Sequence, residues 1–185
     1  LLIQYSKLFD NSRHNISDIV IHNVFNTVPH TPPTSRPHRN PHTHEETQRL
    51  IDEFLAAGLI QESSSPYAAP AFIVPRKDNR PGRLVVDYRA LNKITIPDAS
   101  PLPHGEDLLQ ELGKGYQYFS KFDLKSGYHQ FRIPPSDRAK TAFVVSQGHY
   151  EFLVLSMGPQ NAPASFQKTM CQVMMWGKYL HQVWT

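Results

Sequence analysis

The chain has 185 residues, 39% of them hydrophobic and 11% aromatic, with 19 lysines and arginines against 16 aspartates and glutamates. This length and composition predict one globular domain that buries roughly 70% of the surface of its unfolded chain. A single cysteine excludes an intramolecular disulfide framework and favours a reducing, intracellular location, without distinguishing cytoplasm from nucleus. No run of about 18 apolar residues occurs, which argues against a membrane-spanning helix.

Residues 1–42 are predicted to form an extended linker rich in proline and histidine. Five prolines remove backbone donors and prevent a regular helix or a sheet ladder (Pro29, Pro32, Pro33, Pro37 and Pro41). Six of the ten histidines fall in the first 44 residues, so a metal site is an alternative interpretation. It is the weaker one, because no cysteine or carboxylate cluster accompanies the histidines and the prolines prevent a shared helical face.

The first predicted helix begins at Thr43 and ends at Gly58. Thr43 and Glu46 have the spacing of a capping box, in which each side chain accepts a hydrogen bond from the backbone N–H of the other residue. An apolar stripe on one face predicts burial against the domain (Leu50, Ile51, Phe54 and Leu55). Gly58 is the expected stop, because glycine readily adopts the left-handed conformation that ends many helices.

A hairpin with a basic tip is predicted next. Two β-rich runs, 71–74 and 83–88, are separated by a loop that contains the breakers Asp78-Asn79 and Pro81-Gly82. Six basic residues stand in and around this loop against two aspartates (Arg76, Lys77, Arg80, Arg83, Arg89 and Lys93 against Asp78 and Asp87). Such a concentration of positive charge indicates either a polyanion partner or a solvated hairpin.

The remaining elements mix helices with antiparallel strands. A loop spans 98–103, a short helix with three leucines follows, and a strand is predicted over 118–123. A second hairpin pairs 141–146 with 149–155 across a Gln-Gly turn, and Pro163 opens a last helix with one apolar face. These elements, without repeated βαβ units, predict an α+β fold with antiparallel hairpins and packing helices.

Asp123 is the leading candidate for a catalytic residue. It ends the predicted strand and precedes Leu124-Lys125-Ser126-Gly127, a tight bend of small and polar residues. Mg²⁺ prefers oxygen ligands and commonly takes one or two carboxylates together with substrate phosphates, while neighbouring backbone N–H groups can hold a triphosphate tail. The alternative is that Asp123 only caps the following turn, a common role for a strand-end aspartate.

Five further blocks occur around this motif in a fixed order (Ser65-Pro66-Tyr67-Ala68-Ala69-Pro70, Arg83-Leu84-Val85-Val86-Asp87-Tyr88-Arg89-Ala90-Leu91-Asn92-Lys93, Lys140-Thr141-Ala142-Phe143, Gly148-His149-Tyr150-Glu151-Phe152, and Asn161-Ala162-Pro163-Ala164-Ser165-Phe166-Gln167). Together with Phe122-Asp123-Leu124-Lys125-Ser126-Gly127-Tyr128, they resemble the reverse transcriptase of long-terminal-repeat retrotransposons of the Ty3/gypsy type. The resemblance covers about residues 40–170.

This resemblance implies an RNA-directed DNA polymerase with a right-hand architecture. The fingers would comprise 43–96 and 131–158, a partial palm would comprise 97–130 and 159–185, and 1–42 would connect protease to polymerase. The implied cofactor is Mg²⁺ in a two-metal site, and the implied partners are an RNA or DNA template–primer and a deoxynucleoside triphosphate.

The resemblance also implies roles for single residues. Asp123 would be the catalytic carboxylate and a metal ligand, with the Leu124 carbonyl as a second ligand. The nucleotide would be bound by several side chains and by backbone N–H groups (Lys77 or Arg76 at the fingertip, Arg83 on the base, Ser126 and Gly127 on the phosphates, Tyr128 under the sugar, and Met157). Template and primer would be gripped mainly through backbone and shape (Arg89, Asn92, Gly158 and Pro163). A core position is the alternative for Tyr128.

Several positions depart from the pattern of that family. Ser156 stands where proline is usual, Pro159 stands where leucine is usual, and Met157 replaces an aromatic residue beside the nucleotide pocket. His129 stands where tryptophan is frequent, and Ala139 where proline is. Such departures within an otherwise strict pattern indicate relaxed constraint.

The Tyr-x-Asp-Asp element, which supplies the other catalytic carboxylates in this family, does not occur in the 185 residues. Because phosphoryl transfer depends on positioning and charge stabilisation, one carboxylate is expected to bind Mg²⁺ weakly and to leave the isolated chain inactive. A partner chain or a downstream polyprotein region would then complete the site. The alternatives are a non-catalytic nucleic-acid-binding remnant and a truncated retroelement product.

Overall fold

The computed structural model describes residues 14–38, 41–76, 81–100, 105–115, 117–118 and 123–175. In these ranges the strands are β1 (Ile60–Glu62), β2 (Ala69–Val74), β3 (Arg83–Val86), β4 (Phe143–Val145) and β5 (Gly148–Phe152). The helices are α1 (His44–Ala56), α2 (Arg89–Asn92), α3 (Gly105–Leu112), α4 (Pro135–Arg138) and α5 (Ala162–Met175). Short 3-10 turns cover Pro41–Thr43, Gly127–Gln130 and Ala139–Thr141. No helix in this part of the chain is long and apolar enough to cross a membrane.

The strands form one sheet in the order β1-β5-β4-β2-β3. Both predicted hairpins are confirmed: β2 pairs antiparallel with β3, where Val74 lies opposite Arg83, and β4 pairs antiparallel with β5. A short parallel pairing of β2 with β4 joins the hairpins, with Ala69 opposite Phe143. The α+β class is confirmed, and the parallel pairing is a feature that the sequence pattern did not predict.

Strand β2 shows why the sheet forms where it does. Its residues alternate: Ala71 and Ile73 are buried, whereas Phe72 and Val74 are 37% and 40% exposed. A period of two is expected of a strand that has one face on the core and one face in solvent. The buried faces of β2, β4 and β5 therefore contribute to a single core, which α1 and α5 also enter.

Helix α1 begins at His44, one residue after the predicted position, with Thr43 as its N-cap. The predicted capping box is wrong, because Thr43 makes no side-chain cap bond and Oε1 of Glu46 accepts a 2.7 Å hydrogen bond from the Gly82 N–H. The predicted apolar stripe is confirmed by Ile51, which is fully buried. Gly58 follows the helix at φ +67°, which confirms the predicted stop.

The proline- and histidine-rich segment packs against the domain over its described part, residues 14–38. Ile21, Val24 and Phe25 are at most 3% exposed and belong to the main core. Backbone hydrogen bonds join the segment to three other parts of the chain, at Ala68, Ile94 and Arg132. The prolines exclude a regular ladder, leaving isolated bridges, but they do not exclude burial of the side chains between them.

The leucine-bearing helix and the last helix are confirmed where the structure describes them, whereas the described ends of the predicted strand 118–123, Tyr118 and Asp123, do not lie in a strand. The predicted leucine-bearing helix is α3. Pro163 lies in the first turn of α5, and Phe166 of the same helix is buried. Most of the predicted strand before the catalytic candidate, residues 119–122, lies outside the described residues, and Tyr118 is 90% exposed.

Truncating Phe25 tests whether the N-terminal segment belongs to the core. We expect Phe25→Ala to lower the free energy of unfolding by about 3–5 kcal/mol, because the side chain is 2% exposed and its removal leaves a cavity. Phe72→Ala is the matched control, since Phe72 is 37% exposed. Urea denaturation followed by circular dichroism measures both, and equal losses would contradict the structural role of the segment.

Candidate nucleotide-binding site

The bend at 123–127, which we call the Asp123 turn, presents its carboxylate to solvent. Asp123 is exposed and forms no hydrogen bond or ion pair with another described residue. Leu124 beside it is 43% exposed. Ser126 adopts φ +49° and ψ +47°, a left-handed conformation that costs a residue with a side chain roughly 1–2 kcal/mol. Such a conformation persists only where surrounding contacts hold it.

The Asp123 turn is seated on the first half of α5. A Cβ atom on Gly127 would lie 3.2 Å from Cζ of Phe166, so glycine lets the backbone approach the helix closely. The ring of Tyr128 stacks on the same Phe166, with centroids 4.7 Å apart and planes at 30°. Partial burial raises the pKa of the Tyr128 hydroxyl. The stacked ring is therefore held in one orientation beside the turn.

The oxygen donors of the Asp123 turn fit part of a magnesium site. An exposed, unpaired carboxylate and the neighbouring Leu124 carbonyl are the hard ligands that Mg²⁺ prefers, and such sites are commonly completed by phosphates and water. Within the described ranges, no group of three or more His, Cys, Asp or Glu side chains is arranged to hold a metal. The donors of the turn therefore suit one end of such a site.

The predicted basic hairpin is described only outside its tip. Arg83 opens β3 and is exposed, so its guanidinium is accessible to an anionic ligand. Arg76 lies at the last described position before the tip, and its Nε atom has no hydrogen-bond partner in the part of the chain that is described. Lys77 and Arg80 lie outside the described residues.

Arg89, a predicted template contact, forms an ion pair with Asp87. Its Nε atom donates to Oδ1 at 2.8 Å and its Nη2 atom donates to Oδ2 at 2.6 Å. These hydrogen bonds, together with a backbone bond from Arg89, lower the pKa of the Asp87 carboxyl to about 2. The Arg89 side chain is nevertheless 87% exposed. Asp87 therefore orients a cation that remains open to solvent.

Asn92 and Gly158, two more predicted template contacts, are joined to each other. Nδ2 of Asn92 donates to the Gly158 carbonyl at 2.9 Å, and its Oδ1 accepts from the Gln160 N–H at 2.9 Å. Gly158 has φ +105°, and a Cβ atom there would lie 3.1 Å from Cδ2 of Tyr88. Met157 beside it is 54% exposed. The Asn92 amide thus clamps the loop that presents Met157.

Two buried polar residues position this region and were not predicted as site residues. Asn161 is 3% exposed; its Oδ1 accepts from the Asp98 N–H at 2.9 Å and its Nδ2 donates to the Ile96 carbonyl at 2.9 Å. Tyr88 is 2% exposed, and Oγ of Ser156 donates to its hydroxyl at 3.4 Å. Both residues stand inside the motif blocks, and this was the signal in the sequence that could have identified them. Their hydrogen-bond partners are distant in the chain, so the sequence did not predict the contacts.

His129 occupies an apolar site between α1 and β5. Its ring lies 5.7 Å from that of Phe54 and 6.0 Å from that of Phe152, and its Nδ1 atom is buried without a hydrogen-bond partner among the described residues. Burial, assisted by the nearby His14, lowers the pKa of His129 to about 4. These aromatic surroundings explain physically why a tryptophan also suits this position.

The fold and the motifs together define the class of this protein. Residues 74–178 match the family model described as "Reverse transcriptase (RNA-dependent DNA polymerase)". The chain belongs to this family, as its motif order predicted. It corresponds to a segment of an RNA-directed DNA polymerase.

Its relatives include polyproteins of transposons. The chain is 43% identical over 159 residues to the "Retrovirus-related Pol polyprotein from transposon 297" of Drosophila melanogaster, covering 83% of this chain and 15% of the relative. It is 42% identical over 129 residues to the corresponding polyprotein from transposon gypsy of the same organism, covering 67% of this chain and 12% of the relative. The chain thus spans a small part of these polyproteins.

The fold is similar to that of a solved viral polymerase. A foamy viral protease-reverse transcriptase in complex with double-stranded DNA matches with a TM-score of 0.80 and 22% identity, over 99% of this chain and 32% of that one. At this identity the likeness concerns the fold. The predicted polymerase architecture is confirmed at that level.

Substituting Gly158 tests the packing of the loop on Tyr88. We expect Gly158→Ala to cost about 2–4 kcal/mol of stability, because the new Cβ meets the Tyr88 ring and the backbone is left-handed. Gly58→Ala is the matched control, since Gly58 also has positive φ but open space around its Cα. Urea unfolding of both variants separates the cost of the contact with the Tyr88 ring from the cost of the left-handed backbone. Equal losses of stability in the two variants would contradict the packing of Gly158 on Tyr88.

The low pKa of His129 predicts acid sensitivity. Above about pH 6.5 the ring is neutral in both the folded and the unfolded chain. Between pH 6.5 and 4 the unfolded chain binds a proton that the folded chain does not, so the free energy of unfolding falls by up to roughly 3 kcal/mol. We expect His129→Phe to flatten this dependence, as measured by urea unfolding across this pH range. The same slope in both proteins would contradict the assignment.

Proposed function

We propose that this chain supplies the incoming-nucleotide pocket and part of the template grip of a polymerase that adds deoxynucleotides to a primer. The observation that carries the proposal is the exposed, unpaired carboxylate of Asp123 on a strained turn within the family's matched region. A turn that is packed on one side and open on the other suits a ligand that arrives from solvent. The proposed fingers are 43–96 and 131–158, and the proposed partial palm is 97–130 and 159–185.

The Asp123 carboxylate and the Leu124 carbonyl would hold Mg²⁺ at the triphosphate. When bound, the ion neutralises phosphate charge and favours attack by the primer hydroxyl. The residues of the chain hold the substrate around it: the Ser126 and Gly127 N–H groups face the phosphates, and Arg83 packs on the base and contacts phosphate oxygens. A guanidinium suits both tasks because it is planar, charged and rich in donors. Lys77 would grip the terminal phosphate.

Tyr128 would select deoxynucleotides by excluding a ribose 2′-hydroxyl. Steric exclusion requires a ring that does not yield, and the stacking of Tyr128 on Phe166 at 4.7 Å supplies that rigidity. Met157, 54% exposed at the neighbouring loop, would border the same pocket. The core role considered for Tyr128 and this proposed role are compatible, because one face of the ring packs while its edge remains accessible.

Template and primer would lie along the face that carries Arg89. Its exposed guanidinium, oriented by Asp87, suits a backbone phosphate, and such contacts position nucleic acid without reading its sequence. The side chain of Asn92 is engaged by Gly158 and Gln160, so we propose that it shapes the grip by holding their loop. Pro163, in the first turn of α5, would contribute shape.

Replacing Asp123 tests the proposal directly. We expect Asp123→Asn to weaken binding of Mg²⁺–dATP to the chain by about tenfold or more, because a neutral amide is a poor magnesium ligand. Binding to a primed RNA template, measured by fluorescence anisotropy, should be unchanged. Asp98→Asn is the control, since Asp98 is engaged with the Ser100 N–H. The proposal is wrong if Asp123→Asn binds the nucleotide as tightly as the unsubstituted chain.

Primer extension by the same 185-residue chain is expected to be absent, because these residues contain a single catalytic carboxylate candidate and no Tyr-x-Asp-Asp element. Extension that depends on Asp123 would show that other carboxylates of this chain, or of a second copy, complete the site. Template binding without any nucleotide binding would favour a non-catalytic nucleic-acid-binding role.

A further inference from the structure

We propose that the N-terminal segment is a structural arm of the nucleotide pocket, and that Gln130 is the positioning residue through which it acts. We call residues 17–21 the brace. The inference rests on the proposed function for its effect on nucleotide binding, whereas the positioning of the Asp123 turn is a property of the fold and can be measured separately.

The first step is the contact that holds the strained turn. Nε2 of Gln130 donates a 2.9 Å hydrogen bond to the Lys125 carbonyl, which directly precedes Ser126. Because Ser126 has φ +49°, the peptide before it must be held against relaxation. Gly127 packs on Phe166 below, so Gln130 restrains the turn from the other end.

The second step is the contact that holds Gln130. The Ser17 N–H donates to the Gln130 carbonyl at 2.7 Å. The Arg132 N–H then donates to the Ile19 carbonyl at 3.0 Å, and the Ile21 N–H donates to the Arg132 carbonyl at 2.8 Å. The brace therefore runs parallel to residues 130–132 as an added strand, in agreement with the bridge between Val20 and Arg132.

The third step connects the same segment to the other wall of the pocket. On the side away from the brace, the Ile133 N–H donates to the Leu153 carbonyl at 3.2 Å and the Leu155 N–H donates to the Phe131 carbonyl at 2.9 Å. Residues 153–155 lead directly into the loop that presents Met157. One small ladder of three segments thus carries both the Asp123 turn and the Met157 loop.

The brace is anchored well enough to transmit a restraint. Ile21 is 3% exposed, and Val24 and Phe25 just beyond the brace are 0% and 2% exposed. Nζ of Lys140 donates to the Phe25 carbonyl. These residues precede the region matched by the family model, 74–178. The pocket of this chain is therefore supported by a segment that lies outside the family's matched core.

Gln130→Met is the first test, with Gln61→Met as its matched control. Methionine has nearly the size of glutamine but no donor, and Gln61 also makes one side-chain hydrogen bond, to Glu151 on the exposed edge of the sheet. We expect Gln130→Met to raise the dissociation constant for Mg²⁺–dATP roughly three- to tenfold and to accelerate amide exchange at 126–128, with an unchanged melting temperature. Two-dimensional NMR of the full 185-residue chain measures the dissociation constant and the amide exchange rates.

Ser17→Pro tests the brace itself without truncating a core side chain. Proline removes the N–H that bonds to Gln130, and Ser35→Pro removes an equivalent N–H that bonds to Ala68, remote from the turn. Ser17→Ala keeps the backbone donor and removes only the 3.0 Å hydrogen bond from the Ile19 N–H to Oγ of Ser17, so it isolates the contribution of the Ser17 N–H. We expect only Ser17→Pro to accelerate exchange at 126–130.

The outcomes separate the two proposals. Faster exchange at the turn in Gln130→Met and Ser17→Pro, with their controls unchanged, supports the positioning role even if the unsubstituted chain binds no Mg²⁺–dATP, a result that would defeat the proposed function alone. Equal exchange in each variant and its control overturns the positioning role. Nucleotide affinity that is unchanged by Gln130→Met, while Asp123→Asn abolishes binding, overturns the proposed effect on nucleotide binding, and the exchange rates alone then decide the positioning of the turn.

Discussion

The common sheet of this domain depends on the satisfaction of buried polar groups where its two hairpins meet. Thr141 is fully buried there. Its Oγ1 accepts a 2.8 Å hydrogen bond from the Phe152 N–H and donates at 2.6 Å to the Arg138 carbonyl, while its own carbonyl accepts from the Tyr88 hydroxyl at 2.8 Å. An unpaired buried polar group costs roughly 1–3 kcal/mol, so this junction tolerates one arrangement of α4, β5 and the chain after β3.

The geometry around the proposed nucleotide pocket follows from that junction. Because Thr141 holds the Tyr88 hydroxyl, the Tyr88 ring has a defined place, and Gly158 can approach it only without a side chain. Ser156 adds a hydroxyl that reaches Tyr88 at 3.4 Å. This hydroxyl gives the Tyr88 side chain a second polar contact.

The residues matched by the family model and the residues that form the core of this domain are not the same. The matched region begins at Val74, yet residues 17–28 contribute buried side chains and form backbone hydrogen bonds with residues 130–132 and 94–96. A segment that looks like a connector by composition can still be part of a core, because proline restricts the backbone pattern and not the burial of neighbouring side chains.

Local patterns predicted much of the fold. Period-two runs and turn residues identified both hairpins, and helical periodicity identified α1, α3 and α5, because each signal is contained within a few neighbouring residues. The order of motif blocks identified the family, and the small and polar residues after Asp123 predicted a tight bend there. Glu46 shows the limit of such patterns: its spacing from Thr43 suggested a cap, whereas its carboxylate binds Gly82.

The sequence by itself therefore determined both hairpins, the longer helices, the motif order and the polymerase family of this protein, whereas β1, α2 and α4 were not predicted. Only the tertiary structure decided the parallel pairing of β2 with β4, the burial of Phe25, and the partners of Asn92 and Gln130. The physical reason is the same in most of these cases. Except for the bond from Gln130 to Lys125, these contacts join positions far apart in the chain, and a polar or apolar group chooses among distant partners by burial and satisfied hydrogen bonds rather than by sequence neighbours.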